Sequence, residues 1–138
     1  ISDVDDLSEL AGHDGVICGI PTWNTGADSE RSGTAWDSIL EDIGELSLSG
    51  KKVAIFGLGD SSTYTENYCD AMEELHRYFK QAGASMVGYT SKGDYTFDES
   101  KSVVGEEFCG LPLDEDSESD MTDERLSGWA EKLKGEMF

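Results

Sequence analysis

Short apolar runs alternating with amphipathic stripes predict a doubly wound α/β fold, a parallel sheet with helices on both faces. Three observations carry this. Gly15–Ile20 and Val53–Leu58 are continuous apolar runs of strand length, as in strands covered on both faces. Between and after them, apolar residues recur at spacings of three and four, the period of a helix with one buried face. The length, 138 residues, suits one domain over 1–138 with a core that needs no disulfides.

The elements follow in order. Leu7, Leu10 and Ala11 suggest the tail of a helix ahead of the first strand. Trp36, Ile39, Leu40, Ile43 and Leu46 predict the next helix, with Thr34 and Asp37 as a capping box at its start. After the second strand, Tyr68, Met72, Leu75, Phe79 and Ala82 form another stripe, which Gly83 is suited to end. Met86–Tyr89 and Phe108–Leu111 are weaker strands separated by a long excursion. Leu126, Trp129, Ala130, Leu133 and Met137 make the last helix, entered through Thr122 and the acids after it.

Composition narrows the partners. Thirty acidic residues against ten basic ones leave a net charge of −20, which repels nucleic-acid phosphate and anionic lipid and favours basic protein surfaces. Simple solubility is the alternative reading of that charge. No apolar run approaches the roughly 18 residues of a spanning helix, so no membrane insertion is expected. Cys18, Cys69 and Cys109 are odd in number and widely spaced, which argues against a disulfide framework and for a reducing compartment. With His13 and His76 as the only histidines, no metal site is expected.

In a doubly wound fold, ligands sit beyond the carboxyl ends of the strands. The segments leaving those ends are polar and carry Trp23, Tyr64, Tyr95 and Phe97, aromatics in places where exposure needs a reason. Gly57-Leu58-Gly59-Asp60 invites a dinucleotide reading but lacks the third glycine, and Asp60 would oppose a pyrophosphate. Asp114, Asp116 and Glu118 begin like a calcium loop, yet Ser119 and Arg125 stand where glycine and the bidentate acid belong. A solvated acidic loop over Asp114–Asp120 is the better account. No G-x-S-x-G occurs, His76 is expected at a helix–solvent boundary, and Cys69 reads as a small buried or half-buried thiol. The pair Trp23 and Tyr64 is the informative feature. Two aromatics from two glycine-bearing loops suit a planar ring, with backbone amides at its polar edge.

Pro21-Thr22-Trp23-Asn24-Thr25-Gly26, Gly57-Leu58-Gly59-Asp60 and Tyr64-Thr65-Glu66-Asn67-Tyr68 together resemble the flavin loops of the flavodoxins. The Gly93–Val103 stretch resembles the insertion that splits the last strand in long-chain members, and Thr25–Trp36 looks most like the algal ones. The resemblance implies a flavodoxin-like sheet, non-covalent FMN and one-electron transfer rather than substrate conversion. By similarity, Trp23 and Tyr64 flank the isoalloxazine, and the Asn24–Thr25 peptide with Gly26 faces flavin N5. Groups around Gly57, Leu58, Gly59 and Asp60, with Asn67, hold the pyrimidine edge. Thr22 and Asp116 reach the flavin loop and ribityl chain.

It further implies basic redox partners such as ferredoxin–NADP reductase and photosystem I, a monomer, and the plastid stroma in an alga or the cytoplasm in a bacterium. The family's first strand, phosphate loop, first helix and second strand are not found, so the chain is expected to lack that portion. Two other classes stay open at this stage. One is an FMN-dependent quinone reductase or the FMN domain of a larger reductase. The other is an acidic interaction module that has kept the fold.

Overall fold

The computed structural model describes residues 1–137. A parallel sheet carries the fold. Strand β1 (Gly15–Pro21) pairs along its whole length with β2 (Lys52–Leu58), from Gly15 opposite Lys52 to Pro21 opposite Leu58. The other edge of β2 is shared. Strand β3 (Ser85–Val87) pairs with Lys52–Ala54, and β7 (Leu111–Leu113) pairs with Phe56–Leu58. One strand position is thus filled by two pieces of chain. Between them, β4 (Thr90–Ser91), β5 (Val103–Val104) and β6 (Glu107–Phe108) form a separate antiparallel sheet in the order β4-β6-β5.

The two-residue period of β2 sorts the core into halves. Val53 and Ile55 belong to the larger cluster, with Leu40 and Ile43 of α1 (Leu40–Gly44) and Met72, Leu75 and Phe79 of α2 (Ala71–Gln81). Ala54 and Phe56 join the other, with Leu111, Leu113 and Trp129, Leu133 and Met137 of α3 (Thr122–Met137). Fully burying side chains such as Leu75 and Phe79 contributes about 1.5–3 kcal/mol each. Gly57 sets how closely α2 approaches, because a Cβ there would stand 2.4 Å from Met72 Cγ. Gly88, at φ 77, lets the chain turn past Trp129, whose indole N–H donates to the Gly88 carbonyl at 2.7 Å.

Several expectations change in detail. The helix expected over Trp36–Leu46 is a 3-10 turn (Ala35–Ser38) followed by the five-residue α1. Thr34 caps it by accepting from Trp36 N–H, but Asp37 is drawn back to Ser32 Oγ and Gly33 N–H. Leu48 N–H donates to Ala82 O, pulling the chain out of the helix onto the end of α2. Leu7–Gly12 is likewise 3-10.

The strand expected at Phe108–Leu111 breaks at Gly110, where β6 gives way to β7. A Cβ at Gly110 would lie 2.2 Å from Ile55 O. Tyr95 and Phe97 are not exposed loop aromatics. They pack with Tyr68 and Phe108 at centroid distances of 5.0–6.3 Å, closing the core beneath the excursion. His76 is buried rather than at a solvent boundary and shares a 2.5 Å hydrogen bond with Tyr89 Oη. Burial, with Lys80 nearby, pulls its pKa down. Cys18, Cys69 and Cys109 are free and buried, and burial raises each thiol's pKa.

Candidate functional site

A cleft of about 340 Å3 opens at the carboxyl ends of β1, β2 and β7. Pro21, Thr22, Trp23, Thr25, Leu58, Gly59, Asp60, Tyr64, Glu115 and Asp116 line it. Eight of these carry the flavin assignment made from sequence. Pro21 and Glu115 are additions. Asn24, Gly26, Gly57 and Asn67 stand outside the lining.

Trp23 stands two residues beyond the end of β1 and is 75% exposed. Its loop doubles back on itself. Trp23 N–H donates to Ser32 O, Asn24 N–H to Arg31 O and Asn24 Nδ2 to Glu30 O. Asn24 therefore spends its side chain on the loop. Gly26, at φ 85, forms the turn beyond. Thr22 ties the base of the loop to α2, its Oγ1 accepting from Ala71 N–H at 3.1 Å.

A buried cluster holds the far side of that loop. Glu74 is 2% exposed and accepts from Glu30 N–H at 2.9 Å and Arg31 N–H at 2.7 Å. The Arg31 guanidinium pairs with Glu73 at 2.7 Å and donates to the carbonyls of Ala27, Asp28 and Asp70. The price is a strained backbone at Glu30, φ 52, worth on the order of 1–3 kcal/mol. Sequence reasoning missed this cluster. The available signal was Glu74 itself, a carboxylate among Ala71, Met72 and Leu75 on a stripe meant for the core.

Tyr64, 49% exposed, sits on the loop after β2. Its N–H donates to Asp60 O, and Asn67 N–H donates in turn to Tyr64 O. The Asp60 carboxylate accepts from Ser117 Oγ at 2.7 Å and from the N–H groups of Ser62 and Thr63, both at 3.1 Å. Those donors pull its pKa down to about 2. Asn67 points to Asp70 at 3.4 Å, and Gly57 lies under Met72, so both act behind the cleft wall.

The acidic stretch Asp114–Asp120 is not wholly solvated. Asp114 is fully buried and takes four hydrogen bonds. Among the described residues no cluster suited to a metal ion is found, and no helix is long and apolar enough to cross a membrane. Asp94 borders a different cleft, with Tyr89, Arg125 and Trp129.

Two exposed aromatics on opposite loops, with a glycine-bearing strand end between them, suit a flat, largely apolar ring with a polar edge. Hydroxyls of a sugar-like chain suit the carboxylates of Glu115 and Asp116. No Lys or Arg lines the cleft, so its donor set fits a ring and its hydroxyls but offers a phosphate no cation.

A family model described as flavodoxin matches residues 1–129. The chain belongs to the flavodoxin family. It is 40% identical over 131 residues to a flavodoxin of Synechococcus elongatus, covering 95% of this chain and 75% of that one. Flavodoxin 2 of Salmonella typhi is 39% identical over 127 residues, covering 91% and 71%. A crystal structure of Fusobacterium nucleatum flavodoxin bound to flavin mononucleotide matches with a TM-score of 0.87 and 27% identity, covering 97% of this chain and 78% of that one. The flavodoxin-like fold expected from sequence is thereby confirmed.

Proposed function

We propose that this chain is an electron carrier that holds FMN non-covalently in the Trp23–Tyr64 cleft and exchanges single electrons with other redox proteins. The observation that carries the reading is the pair of exposed aromatics flanking one strand-end cleft in a flavodoxin chain. Bound FMN would supply the redox chemistry, and the chain supplies binding, orientation and field. Trp23 and Tyr64 stack on the ring and keep water from it. The Asn24–Thr25 peptide, with Gly26 at the turn, serves the ring's N5. Backbone groups at Leu58, Gly59 and Asp60, backed by Gly57 and Asn67, serve its pyrimidine edge. Thr22 serves the flavin loop and Asp116 the ribityl chain.

Four finer readings go with it. The division of one strand position between β3 and β7 supports the long-chain type. The outer edge of β1, which among the described residues pairs with β2 alone, supports a further strand seated there in the whole carrier, with a phosphate loop at its end. The net charge of −20 supports docking of basic redox proteins, ferredoxin–NADP reductase and photosystem I among them, by a monomer. The likeness of Thr25–Trp36 to algal members supports the stroma, and the bacterial relatives equally support the cytoplasm.

Fluorescence titration tests the cleft. The chain is expected to quench FMN and riboflavin alike and weakly, because no cation awaits the phosphate. Trp23→Ala and Tyr64→Ala are each expected to weaken quenching by about 1–3 kcal/mol, the usual worth of a stacked aromatic. Equal binding by parent and both variants overturns the sandwich. Tight FMN binding with riboflavin ignored overturns the view that the phosphate site lies outside these residues.

A further inference from the structure

We infer that Asp114 is a positioning residue for the Tyr64 wall of the cleft. Backbone pairing between β2 and β7 ends at Leu58 opposite Leu113, and Gly59 N–H to Leu113 O is the last rung. Beyond that rung the two loops diverge, yet both line the cleft, one through Asp60 and Tyr64, the other through Glu115 and Asp116. Among the described residues, two carboxylates make the hydrogen bonds that join them. Asp114 Oδ2 reaches into the first loop, accepting from Ser61 N–H at 2.9 Å and Ser61 Oγ at 2.6 Å. Its Oδ1 organises its own loop, accepting from Asp116 N–H at 3.1 Å and Ser117 N–H at 2.7 Å. Ser117 returns the contact by donating its hydroxyl to Asp60. Each loop thus gives a carboxylate to a serine of the other.

The chemistry of the site requires an aspartate at position 114. The carboxylate is fully buried, and every donor aimed at it is an N–H or a hydroxyl. A buried charge is tolerated only when its oxygens are saturated in this way. Asparagine has a single acceptor oxygen. Turned to Ser61, it sets its NH2 against the N–H groups of Asp116 and Ser117; turned the other way, it sets it against Ser61. Either choice opens one side of the clasp. Tyr64 hangs one backbone bond from it, through Asp60 O. The near end of the Tyr64 wall is thus positioned by a side chain outside the cleft lining, while the Asp98 and Glu99 N–H groups hold its far end at Thr65.

The inference rests on the flavin reading only for what fills the cleft, so its test uses the whole chain without added flavin as well as with it. Amide hydrogen exchange followed by NMR is expected to quicken at Ser61 and Ser117 in Asp114→Asn by about tenfold or more, the effect of orphaning a buried hydrogen-bonded group. Trp23 and Asn24, on the opposite wall, keep the parent rate. Ser61→Ala, which removes a single hydroxyl, serves if Asp114→Asn does not fold. It is expected to quicken the Ser117 amide, which shares the Asp114 carboxylate with Ser61, while the Ser117 hydroxyl keeps its bond to Asp60. With FMN or riboflavin added, both variants quench less than the parent.

Uniform quickening over the whole chain in Asp114→Asn, or a Ser117 amide indifferent to Ser61→Ala, makes Asp114 a plain stability residue and overturns the inference. Failure of the parent to quench either flavin overturns the flavin reading, while the exchange comparison still decides the clasp.

Discussion

The two walls of the cleft are held by different physics. The Trp23 wall hangs from α2 by a buried ion cluster. Arg31 neutralises Glu73, and Glu74 takes two backbone N–H groups. The Tyr64 wall has no cation in its clasp. Asp60 and Asp114 accept from N–H and hydroxyl groups alone, and for Asp60 those donors hold the carboxylate form. An ion cluster fails when one member is removed, because the remaining charge is stranded. A dipole-saturated carboxylate fails when it takes up a proton. One cleft thus has two modes of failure, one set by sequence and one by solution conditions.

Removing Arg31 tests the first mode most severely. Arg31→Met leaves three carbonyls without a donor and Glu73 with Arg77 as its one cation, and it is expected to cost about 3 kcal/mol by urea unfolding, mostly from the orphaned carbonyls. A cost below about 1 kcal/mol, the range of an exposed ion pair, would mean that the loop holds by its own turns and that the two walls do not differ. Glu74→Gln is a milder probe. It turns one of two accepting oxygens into a donor facing an N–H, at an expected cost of about 1–3 kcal/mol. Little loss there would move the weight of the anchor onto Arg31 alone.

Protonation gives the smallest effect and the sharpest contrast. The Asp60 carboxyl is pulled from 3.8 to about 2 in the folded chain. A depressed folded value means a stabilisation present above the unfolded value and lost as pH falls through the folded one. The gap in melting temperature between parent and Asp60→Asn is therefore expected to be open at pH 6, to narrow below pH 4 and to close near pH 2. A gap that stays constant across that window would show that hydrogen-bond geometry, not charge, is what Asp60 contributes.

Much of this was readable from residue order, and the exceptions share a cause. Strands β1 and β2 and helices α2 and α3 announce themselves through local period, because each pattern lies within one element. The aromatics at 23 and 64 were legible as a pair because each follows an apolar run. Asp114 was read as a solvated acid, since nothing local tells a loop carboxylate that it will meet Ser61. Arg31 and Glu74 escaped for the same reason, being far apart in sequence. Tyr95 and Phe97 looked exposed because their cover, Tyr68 and Phe108, comes from other segments. Local pattern reports elements; the joints between them are non-local.

The divided strand has a consequence for where the cleft's geometry comes from. Val87 lies opposite Ala54 and Leu111 opposite Phe56, so the chain leaves the sheet and returns to the same rail with one place, opposite Ile55, stepped over. Everything between is a detour whose length the sheet does not feel. Leu113, and with it Asp114, is set by β2 acting as a ruler, whatever the excursion does in between. The detour is moored at two places all the same: Tyr95 Oη donates to Pro112 O in β7, and the Asp98 and Glu99 N–H groups donate to Thr65 O beside Tyr64.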